Sequence, residues 1–311
     1  DQPDNGGEMV KSMSRIMSSL VDEIEKSKPD LVLSGFDIGA NFAVTIAAAH
    51  MNIPVAHIQG GEVSGSIDES IRHAMSKFAH IHFPATDLSK KRLIKMGEKP
   101  QNIHVVGCPS IDVIVNTPKK EKSQIEDFFK IDLDKPTLLM IQHPVTTEAD
   151  KSFNQIKSTV DAINELKIQT IALLPNNDAG HSKIINYLKQ CGIKWYPSLP
   201  TDIFVNLYRN VNAIIGNSSS GIHESPTMKI PAINIGNRQR GRERAKNVID
   251  TSHDKNDIIQ SINKALEDEI FLSEINDISN PYGDGKSSGR IVNILKNIKI
   301  DHNLLDKINT Y

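Results

Sequence analysis

Three consecutive serines, Ser218, Ser219 and Ser220, sit in the segment GNSSSGIHE at 216–224, between short apolar runs at 213–215 and 232–235. A strand, a turn of small residues and a helix opening near Ser220 suit an anion. Amides at a helix start point outward, the helix dipole favours negative charge, and Gly216 and Gly221 let backbone approach a phosphate closely. The hydroxyls add donors. Glu224 follows Ser220 by roughly one helical turn and could accept two hydroxyls of a sugar or ribose. Past the second apolar run, Arg238, Arg240, Arg242 and Arg244 alternate in a loop. One or two of them could grip a diphosphate bidentately. The same residues equally suit a serine-rich turn without a ligand, followed by a solvated charge run.

Acid–base candidates lie elsewhere. Gln59-Gly60-Gly61-Glu62 follows an apolar run at 55–58, and open α/β sheets place ligands at the carboxyl ends of such strands. Ser66 and Glu69 match a capping box, Ser66 as N-cap and Glu69 three residues into the helix, so Glu69 is expected to cap. Asp68 has no such duty and stands in the first helical turn, where a carboxylate could do chemistry. His73 and His80 read as surface or packed histidines. Gln142-His143-Pro144 and Pro175-Asn176-Asn177-Asp178 each follow an apolar run as well, which places His143 at a strand end in the same sheet as the serine turn. No HExxH or cysteine cluster has metal-ligand spacing, and no GxSxG elbow or Walker lysine occurs.

The elements that must hold these residues alternate between helix and strand. Apolar residues at Val10, Met13, Ile16, Met17, Leu20, Val21 and Ile24 predict a helix over 8–28. A strand at 31–33 closes on Gly35-Phe36-Asp37, a small-residue helix spans 40–51, and further strands are expected at 55–58, 81–83 and 103–106. The polar stretch 117–122 is the linker candidate. After it the alternation restarts, with strands at 137–141, 170–174 and 193–196, and helical segments fill the chain beyond the arginine loop. This predicts an α/β protein with parallel sheets. The expected division is an N-terminal Rossmann-like domain over 1–118, a C-terminal Rossmann-like nucleotide-binding domain over 119–290, and a helical tail over 291–311. The chain starts at Asp1 in a polar segment rather than with a buried strand, so an N-terminal portion is expected to be missing.

The 311 residues carry a net charge of −2, with 38% apolar and 24% charged content, which points to neither nucleic acid nor an anionic membrane. Only Cys108 and Cys191 occur, consistent with a reducing compartment. No apolar run reaches membrane-spanning length and no secretory signal is present, so a cytoplasmic location is expected.

Together, GGEVSGSIDESIRHA (60–74), CPSID (108–112), QHPVTT (142–147), LPNNDAG (174–180), GNSSSGIHE (216–224) and GNRQRGRE (236–243) resemble the UDP-N-acetylglucosamine 2-epimerases, particularly the hydrolysing branch that releases UDP and N-acetylmannosamine for sialic-acid-type sugars. The resemblance spans nearly the whole chain in the same motif order. It implies two Rossmann-like, doubly wound domains facing across a cleft (GT-B-like), with no cofactor, and a homo-oligomer, dimer or tetramer. It also implies loss of the C2 proton with expulsion of UDP, then addition of water at C1 and return of a proton to the opposite face of C2. By motif match Asp37 and Asp68 take the carboxylate positions and His143 the histidine position. Ser218 and Ser219 would bind phosphate, Glu224 the ribose and Arg238 the nucleotide, while Asn176 and Asp178 line the same cleft.

Two positions depart from the family pattern. Gln59 stands where the family usually has an acidic residue before a glycine pair, and Ile38 where arginine usually follows the first aspartate. Glutamine cannot act as a base, so Gln59 is expected to contact substrate instead. The departures favour an altered substrate or base assignment over a dead enzyme. A 2,4-diacetamido-trideoxy nucleotide sugar is the alternative substrate. A non-hydrolysing epimerase, a GT-B glycosyltransferase and a nucleotide-sugar binding protein without turnover fit the same motifs.

Overall fold

The computed structural model describes residues 4–35 and 39–310. The chain forms two compact units, one of residues 6–112 with 282–310, the other of 4–5 with 113–281.

In the first unit, β1 (Val32–Gly35), β2 (Val55–Ile58) and β3 (Ile81–Phe83) form a parallel sheet in the order β1-β2-β3. The expected strand at 103–106 shrinks to a single bridge between Ile103 and His82. Two amides, of His104 and Val106, still bond to His82 and Pro84 carbonyls, so the segment runs beside β3 without a continuous ladder. The Gly39–His50 helix packs through alanines, Ala43, Ala47 and Ala48, all buried, because small side chains allow a helix to lie close to a sheet.

The second unit holds an all-parallel, six-stranded sheet: β4 (Thr137–Ile141), β5 (Gln169–Leu173), β6 (Lys194–Tyr196), β7 (Ala213–Gly216), β8 (Ala232–Ile235) and β9 (Val248–Thr251). Its order is β6-β5-β4-β7-β8-β9, a doubly wound arrangement whose direction reverses between β4 and β7. Side chains alternate by strand period: Leu138 and Met140 join one core with Ile156 and Val160, while Leu139 and Ile141 join another with Phe129 and Leu207. Covering both faces is what makes these strands continuously apolar. β9 was not expected. Its Val-Ile-Asp-Thr sequence is polar at two positions and only partly buried, as an edge strand can be.

The chain crosses between units at 112/113 and 281/282 rather than at 118/119 and 290/291. The polar stretch expected as a linker is tied down within the second unit. Asn206 Nδ2 donates to Pro118 O at 3.0 Å, and Arg209 Nη2 donates to Thr117 O at 2.9 Å. The C-terminal segment is no separate tail. Ile291 and Leu304 share a core with Ala56, Ile81 and Phe83, and Asp112 accepts bonds from the amides of Ser287 and Ser288 at the start of the Ser287–Asn297 helix. No described helix is long and apolar enough to cross a membrane.

Both units hold histidines in neutral form. Burial first, then the charges of His82, Arg72 and Lys307, pushes His57 down to about 3. Burial first, then Arg238, pushes His143 down to about 3. Folded-state values below the ordinary 6.5 mean that the unfolded chain binds these protons first. The associated stability is therefore complete above pH 6.5 and is lost as pH falls toward 3. Each of the two is expected to remove about 2 kcal/mol between pH 6.5 and 5. Urea midpoints that stay constant over that interval would show that these histidines are not held neutral.

Candidate functional site

In the second unit, four strand ends bring polar residues together beside the point where the strand order reverses. Gly216 ends β7 at φ +132°, and a Cβ there would lie 2.1 Å from Ile141 O, so β4 and β7 can run this close only with glycine. Asn217, buried, then clamps the chain leaving β4. Its Oδ1 accepts from the His143 amide at 2.7 Å and its Nδ2 donates to the His143 carbonyl at 2.8 Å. The Asn217 carbonyl in turn accepts from Gln239 Nε2 at 2.8 Å and Arg238 Nη1 at 3.3 Å. Asn217 is the hub of this cluster, and sequence reasoning gave it no role.

The His143 ring is fixed from β5. The Asn176 amide donates to His143 Nδ1 at 3.0 Å, which requires an unprotonated Nδ1 and leaves the ring proton of the neutral imidazole on Nε2. His143 is therefore a neutral N–H donor rather than a cation or a base acting through Nδ1. Asn176 Nδ2 donates to Asp178 Oδ2 at 2.6 Å, and Arg238 Nη2 lies 4.0 Å from the same oxygen. The structure thus unites His143, Asn176, Asp178 and Arg238. Asn176 Oδ1, Ser220 Oγ and Gln239 Oε1 are buried without a hydrogen-bond partner, and unsatisfied polar atoms at strand ends are what a polar ligand would fill.

Ser218 and Ser219 lie half-buried in the turn after β7, with Ser218 Oγ accepting from the Ser220 amide at 3.3 Å. The helix expected from Ser220 is a single turn, Ser220–His223, followed by a second, Ser225–Met228. Pro226 has no amide to continue the first turn. The donors this turn offers an anion are therefore its amides and hydroxyls, without a long helix dipole behind them. Glu224, at the junction of the two turns, donates its amide to Ser220 O at 3.1 Å. In the arginine loop, Arg242 contacts His223 Nε2 at 2.5 Å and Arg244 binds Asp250, so these two are committed to the fold.

In the first unit, the turn after β2 is the feature of interest. Gln59 adopts φ +61°, a conformation that costs a non-glycine residue of order 1 kcal/mol. Gly61 follows at φ +79°, where a Cβ would meet Ser89 O at 2.3 Å. Gln59 is buried, with Nε2 donating to Cys108 Sγ at 3.0 Å and reaching Glu62 Oε1 at 3.4 Å. Glu62 is itself only 4% exposed. A buried carboxylate therefore sits beside Gln59. An acidic residue in an otherwise closed, glycine-rich turn is the sequence signal that marks Glu62.

The Asp68–Phe78 helix starts one residue later than a Ser66/Glu69 capping box requires, and that box does not form. Ile67 is the N-cap without a side-chain bond. Glu69 Oε2 instead accepts from the Ser64 amide at 3.0 Å, and Ser66 Oγ accepts from the Asp68 amide at 3.4 Å. Asp68 is half-buried at the first helical position. Within the same helix Arg72, buried, donates to Glu62 O at 3.1 Å, bracing the turn against the helix. Asp37 lies outside the described residues. His80 packs with Nδ1 accepting from the Val55 amide at 3.1 Å, and His73 pairs with Glu69 at 3.7 Å. Among the described residues, the one acidic group close enough to share a metal ion is Glu126, Asp132 and Asp134, where Lys122 pairs with Asp134 and Glu126.

A family model described as UDP-N-acetylglucosamine 2-epimerase matches residues 2–296. A UDP-N,N'-diacetylbacillosamine 2-epimerase (hydrolyzing) of Legionella pneumophila is 37% identical over 307 residues, covering 97% of this chain and 80% of that protein. A GDP/UDP-N,N'-diacetylbacillosamine 2-epimerase (hydrolyzing) of Campylobacter jejuni is 34% identical over 302 residues, covering 94% and 78%. The crystal structure of UDP-GlcNAc 2-epimerase from Neisseria meningitidis bound to UDP-GlcNAc superposes with a TM-score of 0.80 at 24% identity, covering 96% of this chain and 84% of that one, and so shares the fold.

Proposed function

Because the chain belongs to the UDP-N-acetylglucosamine 2-epimerase family, we propose that it is a hydrolysing 2-epimerase of a UDP-linked 2,4-diacetamido-trideoxy sugar of the N,N'-diacetylbacillosamine type. Support for the substrate comes from the names borne by the Legionella and Campylobacter relatives at 37% and 34% identity. This reading displaces UDP-N-acetylglucosamine and N-acetylmannosamine as the expected substrate and product.

The observation that carries the chemistry is the turn after β2, where buried Glu62 accompanies Asp68 on the adjoining helix. Inverting a carbon centre through proton exchange needs two proton-transfer groups, one for each face. One carboxylate removes the C2 proton; the C–H electron pair forms the C1=C2 bond, and the C1–O bond breaks to release UDP. Water then adds its oxygen to C1, and C2 takes a proton on its other face. The balance is nucleotide sugar plus water giving UDP and the free 2-epimer, with no oxidant or reductant. The neutral His143 donates a hydrogen bond to the leaving diphosphate or the sugar, and Arg238 supplies positive charge. Ser218 and Ser219 hold phosphate, Glu224 holds ribose, and Asn176, Asp178 and Gln59 contact the sugar. The enzyme acts as a cytoplasmic homo-oligomer, which light scattering would check.

A proton NMR time course in D₂O tests this reading. The diacetamido substrate is expected to yield UDP and a free sugar inverted and deuterated at C2. Its kcat/KM should exceed that of UDP-N-acetylglucosamine by about 10- to 200-fold, the usual value of one or two pocket contacts. Equal or better turnover of UDP-N-acetylglucosamine would overturn the substrate assignment. A product still attached to UDP would overturn hydrolysis, and UDP binding without turnover would leave a binding protein.

A further inference from the structure

The last residues of the chain are stitched to the helix that carries Asp68. Lys307 Nζ donates to Ser76 O at 2.8 Å and to Ala79 O, the closing carbonyls of the Asp68–Phe78 helix and its C-cap. The same ammonium lies 2.7 Å from Glu98 Oε2. Glu98 is 2% exposed and also accepts from Lys77 Nζ at 2.8 Å and His82 Nε2 at 3.0 Å. Lys77 reaches back to the terminal segment, donating to Asn309 Oδ1 at 2.6 Å, and the Thr310 amide donates to Gly97 O at 2.8 Å. Burial alone would push the Glu98 carboxyl up, but hydrogen bonds from His82, Lys307 and Lys77 outweigh it and hold it at about 2.

We propose that residues 306–310 form a positioning strap, with Lys307 as its main anchor, that sets the Asp68–Phe78 helix so that Asp68 stands correctly for the reaction. The proposal rests on the reading of Asp68 as a carboxylate of that reaction. A cation at a helix C-terminus satisfies carbonyls that have no partner within the helix and complements its dipole. The buried charges are fully paired, so removing one partner leaves the others uncompensated. The helix spans about 16 Å, so a tilt at its last turn displaces its first. Arg72, midway, transmits the same tilt to the Glu62 turn through its bond to Glu62 O. Displacement of reacting groups by about 1 Å can cost up to about 10²-fold in rate. Lys307 touches no substrate; it acts through Asp68.

The test compares Lys307→Met, Lys307→Arg and Asn309→Ala with Lys299→Met, a control whose side chain is 86% exposed and pairs with Asp301. Activity is expressed per folded molecule, well below the unfolding temperature, beside amide hydrogen exchange. Lys307→Met is expected to lower kcat about tenfold with KM within twofold, and to speed exchange at 68–71 as well as at 76–79. Lys307→Arg should recover most of the rate, Asn309→Ala should give a smaller loss, and Lys299→Met should match the parent. Unchanged kcat with faster exchange confined to 76–79 would overturn the proposal, because a clamp serving stability alone lowers only the folded fraction. An Asp68→Asn enzyme with full activity would sink the role of Asp68 instead, and exchange at 68–71 would still decide whether the strap sets the helix.

Discussion

Asp68→Asn is expected to lower kcat by about 10²- to 10⁴-fold while leaving UDP affinity within a factor of about two. The substitution keeps the shape and one acceptor oxygen while removing the negative charge and the ability to take a proton. Asp68 stands at the first position of its helix. Its amide bond to Ser66 Oγ is made by backbone and survives the change. The residues proposed to hold the nucleotide, Ser218, Ser219 and Glu224, belong to the other unit, so the loss should appear in kcat and not in UDP binding. Calorimetry with UDP, beside the D₂O time course, separates the two. Retained deuterium incorporation at C2 in the variant would remove Asp68 from the chemistry.

Strand–helix alternation made the doubly wound second unit legible from sequence, because strands covered on both faces read as unbroken apolar runs. The order of those strands was not legible, since it depends on which neighbours pair. That order puts His143 and Asn217 at one reversal point. The errors share a cause, namely polar groups whose partners are distant in sequence. Residues 117–122 look like a linker until Asn206 and Arg209 bind Thr117, Pro118 and Lys120. Residues 291–311 look like a tail until Leu304 enters a core and Lys307 meets Glu98. Ser66 and Glu69 satisfy a local pattern, yet Ser64 offers Glu69 a better-placed amide. Asn217 was passed over because its work is to hold backbone, which no residue-type pattern signals. The arginine loop divides on the same principle, with Arg238 near Asp178 and Arg242 and Arg244 absorbed by structural partners.

Glu62→Gln should match the loss in Asp68→Asn, about 10²- to 10⁴-fold in kcat, and restoring an acid at the neighbouring position should not repair it. Gln59 cannot take a proton, so a base in this turn has to come from another residue. Glu62 stands three residues on, buried, with Gln59 Nε2 turned toward its Oε1 at 3.4 Å. The amide at 59 therefore supports a carboxylate rather than replacing one. Putting a second carboxylate there, in Gln59→Glu, would set two like charges against each other in a closed turn, so that one is forced to hold a proton. The single variant Gln59→Glu is accordingly expected to lose activity, and the double variant Gln59→Glu/Glu62→Gln to stay well below the parent, because the new carboxylate springs from a backbone fixed at φ +61° that aims it differently. A double variant with parental kcat would show that the two positions are interchangeable and that the base belongs to the turn rather than to Glu62. If Glu62→Gln alone kept full rate and full C2 exchange, the second proton-transfer group would have to be sought at another residue.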